Sequence, residues 1–456
     1  MKTGFLLFFT MVFCRSSALA GPAPVLESMR QGIHLQAGQN RTNATDDDFL
    51  EQAETPAPAA REPDQCLIRA ILEEDLELLD RCMARNANVN FRGKGGWTPL
   101  MIAATRGKVS ILEYLLSLGA NIEDITDDGW SALMLAVYQS HTEAAAYLLS
   151  QGADFNRSAF VKASFLLEKR DKPGMDFLAF LVKEYQQGEE NGPLEGFFNL
   201  STLTLAVWRC DDATIDRLLQ FGANINHRNK GGVTPLYWAV IRGDARLVTR
   251  LIEGGADALA ATPRGKTPLM FAAGFGSEAV CTSLLEAGAN IDATDATGNT
   301  ALTYAIRLSR DKVANLLLRR GAKLNPSQPA PYPPLHVAAK FSKPTLVREL
   351  LRRGATIDFP TPNGHTALIE ATRKGRLEMV QALVRAGADL ERRDHTNRQT
   401  PLLWAVAEGH LNVVRYLVQA GGDTEARNAR NQNGIDLARA AGHEEILKIL
   451  LKSQTN

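Results

Sequence analysis

The chain has 456 residues and carries 51 basic and 51 acidic side chains, so its formal net charge at pH 7 is zero. Nucleic-acid-binding proteins are usually strongly basic, and the balanced charge gives no reason to expect a nucleic-acid partner. No stretch of the sequence is apolar over the roughly eighteen residues that a membrane-spanning helix needs, so we expect no membrane span in the mature chain.

The N-terminus has the pattern of a secretory signal peptide. Lys2 supplies a positive charge, residues 5–14 form an apolar run of ten residues, and Ala18-Leu19-Ala20 is a small-x-small cleavage site. This run is too short for a permanent membrane anchor. We predict that residues 1–20 are a signal peptide cleaved near Ala20 and that the protein is secreted or periplasmic. A buried N-terminal strand is the alternative interpretation.

Residues 21–63 differ in composition from the rest of the chain. Proline, alanine, glutamine and acidic residues dominate, and there is no apolar periodicity. Such a segment buries too little surface to offset its chain entropy. We predict a disordered, acidic, Pro- and Ala-rich linker.

Residues 265–292 contain a pattern that recurs through the rest of the chain. Thr267-Pro268 starts a helix, because proline at the first helical position gives up an N–H that has no partner there. A glycine-containing break separates this helix from a second one, which Gly288 ends in the manner of a left-handed cap. Helices of about three turns are not stable alone in water. The unit therefore has to stack on copies of itself.

Copies of the helix start recur every 33 residues within each run, with 34 residues at the step from Thr366 to Thr400. They begin at Thr98, Ser131, Thr234, Thr267, Thr300, Pro333, Thr366 and Thr400, with weaker copies at Ser201 and Asn433. Closing glycines stand at Gly119, Gly152, Gly222, Gly255, Gly288 and Gly387. The pattern resembles the ankyrin repeat family, whose 33-residue unit has a T-P-L-H-x-A start and a G-A-D/N ending.

The resemblance implies an all-α fold, an ankyrin-repeat solenoid of about twelve helix-turn-helix repeats with β-turn fingers over residues 64–456. The terminal repeats are atypical, as caps with one exposed face need to be. In residues 65–90, Glu74 and Asn86 stand where other repeats have glycine, and residues 433–452 end on a second helix.

One joint is irregular, because Ser131 and Ser201 are 70 residues apart, two periods plus four. We expect a distorted repeat at about residues 158–200, and the weakest interface of the array there. A second departure is the proline-rich loop at residues 326–334, which replaces the usual glycine finger.

The cysteines of the first repeat are placed for pairing. Cys66 opens its first helix, Cys82 lies near the end of its second, and antiparallel helices bring these ends together. We predict a disulfide in an oxidising, exported compartment. Cys210 and Cys281 lie in different repeats, and we interpret them as buried small hydrophobes.

The sequence contains no H-E-x-x-H, C-x-x-C, Walker A, G-x-S-x-G or dinucleotide-binding pattern. His141, His410 and His443 occupy a family histidine position, and Glu370 a position where the family often carries glutamate, so we interpret all of them as structural. We expect no enzyme, no cofactor and no metal.

The resemblance implies protein binding through the finger tips and the concave face of the first helices. Aromatic and arginine side chains, which dominate binding hot spots, occupy these positions. The predicted contact residues are Trp97, Arg106, Trp130, Tyr138, Phe198, Trp208, Arg209, Arg242, Phe275, Tyr332, Phe341 and Arg373. The alternative is that several of these aromatics merely pack between adjacent fingers.

We therefore expect an exported, monomeric, non-catalytic module that binds an unknown protein partner. It is either a scaffold or chaperone-like protein, or an inhibitor or immunity protein of an exported enzyme or toxin. An enzyme is the distant alternative, which a bound metal in the purified protein would revive.

N-terminal sequencing tests the export prediction. The mature protein should begin at or near Gly21, because Ala18-Leu19-Ala20 is the cleavage pattern. Recovery of the protein from the cytoplasm with residues 1–20 intact would contradict it.

Overall fold

The computed structural model describes residues 62–160, 199–209, 211–326 and 332–454. These residues contain 22 helices, which follow one another as eleven pairs. The predicted signal peptide, nearly all of the predicted linker, Phe198 and Cys210 lie outside the described residues, as does most of the proline-rich loop. The expected helical repeat solenoid is confirmed.

The helices divide between two compact units. The first unit contains α1 (Glu62–Glu73), α2 (Leu76–Ala84), α3 (Pro99–Thr105), α4 (Val109–Ser117), α5 (Ala132–Tyr138), α6 (Thr142–Ser150), β1 (Ser158–Phe160), β2 (Asn199–Ser201), α7 (Thr202–Arg209), α8 (Asp212–Gln220) and α9 (Pro235–Arg242). A one-turn 3₁₀ helix, Lys94–Gly96, precedes α3. The segment Glu253–Ala256 also belongs to this unit.

The second unit holds the remaining helices, apart from Glu253 at the end of α10. They are α10 (Ala245–Glu253), α11 (Pro268–Phe275), α12 (Glu278–Glu286), α13 (Ala301–Arg307), α14 (Asp311–Arg319), α15 (Pro334–Phe341), α16 (Pro344–Arg352), α17 (Ala367–Arg373), α18 (Leu377–Arg385), α19 (Pro401–Ala407), α20 (Leu411–Gln419), α21 (Gly434–Ala441) and α22 (Glu444–Gln454). Odd-numbered helices are the first helices of their repeats, and even-numbered helices are the second.

Local chemistry sets the ends of the helices as the sequence predicts. The Thr98 side chain accepts a hydrogen bond from the Met101 backbone N–H, and the Thr267 side chain does the same for Met270. Each cap satisfies one of the N–H groups that a helix start leaves without an intrahelical partner. After α12, Gly288 has a φ of 84°, the left-handed conformation that glycine adopts without steric cost.

The first repeat keeps this geometry without glycine. Glu74 and Asn86 have φ angles of 58° and 61°, so both adopt the left-handed conformation in place of glycine. The structure places Cys66 and Cys82 at disulfide-bonding distance, with Cα atoms 5.8 Å apart. In the chain-entropy model a bond closing a loop of about 15 residues contributes about 3 kcal/mol. The predicted pair thus links the two helices of the first described repeat, which contacts one neighbouring repeat among the described residues.

Each repeat is held by apolar burial against its neighbours. Leu100, Ala103 and Ala104 of α3 are at most 1 % exposed, and so are Leu112 and Leu115 of α4. Within each unit, consecutive first helices pack on one another, as do α3 with α5 and α15 with α17. The core is therefore a continuous layer between the stacked helices of a unit.

The described repeats on either side of residues 161–198 contact each other directly. Helix α5 packs directly on α7, and α6 packs on α8, so these two repeats are immediate neighbours. The hydroxyl of Thr142 donates to Asp211 at 2.9 Å, and Arg209 Nε donates to Ser140 Oγ at 3.2 Å. The predicted distorted repeat at about residues 158–200 lies almost wholly outside the described residues, of which only β1 and β2 belong to it.

Strands β1 and β2 form an antiparallel pair that the sequence did not predict. Ser158 pairs with Ser201, Ala159 with Leu200, and Phe160 with Asn199 at the open end of the ladder. Ala159 and Leu200 are at most 1 % exposed. The pair thus holds residues 158–160 next to residues 199–201.

A deletion tests this arrangement. Replacing residues 161–198 by Asn-Gly, a turn that joins antiparallel strands, should shift the melting temperature by no more than a few degrees, because the α5–α7 and α6–α8 contacts stay intact. Thermal unfolding followed by circular dichroism measures it. As a control, Leu205→Ala in α7, where the side chain is 0 % exposed, should cost about 2–5 kcal/mol. A deletion variant less stable than this control would contradict the direct stacking.

Candidate functional site

The predicted contact aromatics at the start of the first unit are buried. Trp97, Trp130 and Tyr138 are 5 %, 3 % and 3 % exposed. The rings of Trp130 and Tyr138 meet edge to face with centroids 5.4 Å apart. Such a pair stabilises the packing of its own repeat. The interpretation of these three side chains as an exposed binding strip is therefore wrong.

Three further predicted residues of the first unit, Trp208, Arg209 and Arg242, are half-buried and take part in ring contacts. The Trp208 ring meets Trp238 edge to face at 5.3 Å, and the Arg242 guanidinium lies 5.9 Å from the Trp208 centroid. Arg242 also donates a hydrogen bond to the Trp208 carbonyl oxygen. The Arg209 guanidinium covers the Tyr138 ring at 5.3 Å. Here the arginines cover aromatic rings and leave no large exposed aromatic surface.

Arg106 and Phe275 are half-buried. Arg106 follows α3 in the first unit, and Phe275 is the last residue of α11 in the second. Both have further contacts within the protein. Neither belongs to the cluster of exposed aromatic side chains described next.

Two predicted aromatics of the second unit are exposed and share one neighbour. Tyr332 is 36 % exposed and Phe341 44 %. The Arg307 guanidinium lies 4.7 Å from the Tyr332 centroid and 5.9 Å from that of Phe341. Lys340 Nζ lies 5.4 Å from the Phe341 ring. Cations over aromatic faces contribute about 0.5–1 kcal/mol each at exposed positions.

The same surface continues onto the next two repeats. Lys340 Nζ lies 3.8 Å from Glu370 Oε2, and Arg373 lies 3.6 Å from Glu370 Oε1. The Arg373 guanidinium stacks over the half-buried Trp404 ring at 4.5 Å. Cations and aromatic rings thus alternate across four successive first helices, α13, α15, α17 and α19. We call this surface the cation–aromatic row; its members are Tyr332, Arg307, Phe341, Lys340, Arg373 and Trp404.

Glu370 is the carboxylate inside the row, and its side chain is only 13 % exposed. His365 Nδ1 donates to its Oε1 at 2.9 Å. Burial works to raise the pKa of Glu370, but the hydrogen bond from His365 and the neighbouring cations outweigh burial and lower it. The carboxylate is therefore ionised at neutral pH and holds Lys340 and Arg373 by charge, which supports its predicted structural role.

A buried histidine, His336, lies next to this cluster. His336 is 3 % exposed, and its Nε2 donates to the His365 carbonyl oxygen at 2.9 Å. Burial lowers the pKa of His336 to about 4, so the ring is neutral at physiological pH. Two of the predicted structural histidines also donate to backbone carbonyl oxygens of the preceding repeat. His141 donates to Thr105, and His410 donates to Arg373.

At the other end of the row, Arg307 is connected to a buried chain of hydrogen bonds. Lys266, only 4 % exposed, donates to the Tyr304 hydroxyl at 2.9 Å, which donates to Asp295 Oδ2 at 2.6 Å. Asn299 donates to the same carboxylate at 3.3 Å and accepts from Arg307 at 2.8 Å. The position of Arg307 between its two rings is thereby tied to the core.

The charge of Asp295 is stabilised by these contacts. Burial works to raise the pKa of its carboxyl, but the hydrogen bond from Tyr304, other hydrogen bonds of the finger and the charge of Lys266 together lower it. The group therefore adds stability at neutral pH, which is lost as the pH falls through the pKa of the folded state.

Sequence reasoning missed Trp404, Lys266 and the Tyr304–Asp295 pair. It searched the finger position and the end of each first helix, whereas Tyr304, Glu370 and Trp404 all stand four residues after the helix-starting threonine. A comparison of that position between repeats, where others carry Ile102 or Leu135, would have found them.

The described residues contain neither a metal-binding cluster nor a membrane-spanning helix. No cluster of three His, Cys, Asp or Glu side chains is arranged to hold a metal ion there. In the same part of the chain, no helix has the length and apolarity to cross a membrane. Cys281 is buried as expected, and burial raises the pKa of its thiol to about 12.

Known proteins resemble this chain in its repeats. The family model described as ankyrin repeats (3 copies) matches residues 67–159, 203–295, 243–328, 327–394 and 392–456. Among solved structures, the ankyrin repeat domain of human ASB11 is 27 % identical, with a TM-score of 0.44, and the match covers 48 % of this chain and 98 % of that one. No match is found among curated proteins.

Two substitutions at Asp295 separate its turn-forming and its electrostatic roles. Asp295→Ala should destabilise the protein by about 3 kcal/mol or more, because it leaves the buried Lys266 without its counter-charge and the finger without its acceptor. Asp295→Asn should cost less, since Asn229 accepts the equivalent finger hydrogen bonds in another repeat at 2.9–3.0 Å.

Urea unfolding of the whole chain measures both variants, and the exposed Lys312→Ala is the control. Equal midpoints for Asp295→Ala and the control would show that the buried chain contributes nothing to stability.

Proposed function

Because the chain belongs to the ankyrin repeat family, whose repeats are protein-interaction modules, we propose that it is a non-catalytic binding protein whose contact surface is the cation–aromatic row. Its partner is another protein. Among the predicted contact aromatics, Tyr332 and Phe341 are exposed while Trp97, Trp130 and Tyr138 are buried, which supports the choice of this surface.

The exposure of Tyr332 and Phe341 around Arg307 is the observation that carries the proposal. Other exposed large apolar side chains, such as Phe221 and Leu259, have no cation–aromatic contact in the described residues. An exposed aromatic gives nothing to the folded core, whereas burying it against a partner removes apolar surface from water. Aromatic and arginine side chains are also the types that dominate binding energy.

Three cations of the row are held in position by neighbouring polar side chains. Lys340 and Arg373 are held by Glu370, and Arg307 by Asn299. Side chains that are already oriented lose less rotamer freedom on binding, so more of the contact energy appears as affinity. The first unit lacks such a surface among its described residues, because Trp97, Trp130 and Tyr138 are used in packing.

We also propose that the protein acts outside the cytoplasm. The N-terminal signal-peptide pattern and the Cys66–Cys82 pair at bonding distance support this location, because disulfides persist in oxidising compartments. In that compartment the module serves as a scaffold or as an inhibitor of an exported enzyme.

Alanine substitution tests the surface. The double variant Tyr332→Ala/Phe341→Ala should weaken binding to a partner isolated with the wild-type protein by about 2 kcal/mol, roughly thirtyfold, because it removes the central apolar anchors. Isothermal titration calorimetry measures the affinity. The melting temperature should stay nearly unchanged, since both side chains are exposed.

Phe221→Ala is the matched control. Its side chain is 45 % exposed, like that of Phe341 at 44 %, but it follows the second helix α8. This variant should bind normally. Normal binding by the double variant, or an equal loss in the control, would show that the partner uses another surface.

A further inference from the structure

The cation–aromatic row has an excess of positive charge that a particular class of partner would neutralise. We propose that the row binds an acidic polypeptide segment, one that brings carboxylates to its cations and an apolar side chain to its exposed rings. The inference rests on the proposed function, because it names the chemistry of the partner for the same surface.

The charges of the row do not balance. Arg307, Lys340, Arg373 and the adjacent Lys374 carry four positive charges, against two negative charges on Glu370 and on Glu408, which follows α19. The chain as a whole has a net charge of zero, so this excess is local. An acidic partner would be attracted to it at long range and would associate faster at low salt.

Glu370, the carboxylate between Lys340 and Arg373, faces inward, whereas the positive charges face solvent. Glu370 Oε2 is covered, and its side chain is 13 % exposed. Lys340 and Arg373 remain 32 % and 33 % exposed, and Lys374 is exposed. A partner therefore meets ammonium and guanidinium groups before it meets the carboxylate.

The guanidinium of Arg373 is suited to a carboxylate ligand. Its central carbon lies over the Trp404 ring, 4.5 Å from the centroid. A planar guanidinium carries five N–H donors that match the two oxygens of a carboxylate. Held in place by the ring and by Glu370, it would form charge-assisted hydrogen bonds with little further ordering.

The exposed rings favour a polypeptide over a nucleic acid. Tyr332 and Phe341, at 36 % and 44 % exposure, offer apolar surface on both sides of Arg307. Leucine or phenylalanine side chains of a peptide would bury that surface. Nucleic-acid binding normally needs a strongly basic protein and more phosphate contacts than this row provides.

The test uses defined probes and the whole protein. A fluorescein-labelled peptide of repeated Gly-Glu-Glu-Leu is titrated with the protein, and binding is followed by fluorescence anisotropy. A peptide of repeated Gly-Lys-Lys-Leu and a single-stranded DNA oligonucleotide are the comparison probes. The acidic peptide should bind, and raising NaCl from about 0.05 M to about 0.5 M should weaken it because exposed charges are screened.

A pair of charge reversals locates the binding. Lys374 occupies the position in its repeat that Phe341 occupies in the preceding one, whereas Lys312 lies on the second helix α14; both lysines are exposed. Lys374→Glu should weaken binding of the acidic peptide about three- to tenfold, since repulsion replaces attraction. Lys312→Glu should leave the affinity unchanged.

The outcomes separate this inference from the proposed function. No measurable binding of the acidic peptide, equal effects of the two reversals, equal binding of the basic peptide, or tighter binding of the oligonucleotide would overturn the inference. If Tyr332→Ala/Phe341→Ala still weakens binding of the natural partner, the proposed function stands without it. If that double variant also binds normally, both fail.

Discussion

The burial of first helices against one another is the constraint on which the rest of the structure depends. Helices such as α3, with seven residues, are too short to persist alone, and each is stable because its apolar side chains are covered by the repeats before and after it. In such a stack, stability comes from nearest neighbours. Positions that face a neighbour must be apolar or fully hydrogen-bonded, and only the remaining positions are free to serve binding.

The residue before each helix start, at the end of the finger, shows how this constraint acts in each of the two units. In the first unit this position holds Trp97, Trp130 and Val233, all buried. In the second it holds Lys266, which is also buried and bonded to Tyr304, and Tyr332, which is exposed. Apolar side chains there fill the gap to the neighbouring repeat. Polar ones need partners, and the resulting hydrogen bonds extend to the residues that carry the cation–aromatic row.

The stack also explains how a long insertion is tolerated. Phe160 and Asn199 are paired in the β1–β2 ladder, so the two ends of the segment between them lie together. Its length then has no effect on the packing of α5 against α7. Lengthening a loop whose ends are already close costs little free energy, because closure entropy grows only slowly with length.

The sequence by itself determined the repeat period, the helix starts at residues such as Thr267, the caps of the first repeat and the Cys66–Cys82 pair, because each depends on chemistry within one repeat. Only the tertiary structure decided that Trp130 is buried, that α5 meets α7, and that Arg307 lies between two rings of the next repeat. The exposure of a side chain is set by residues about one period away, where neighbouring repeats supply the covering atoms. Identical positions in the pattern therefore have different surroundings, so that one side chain is buried where another is exposed.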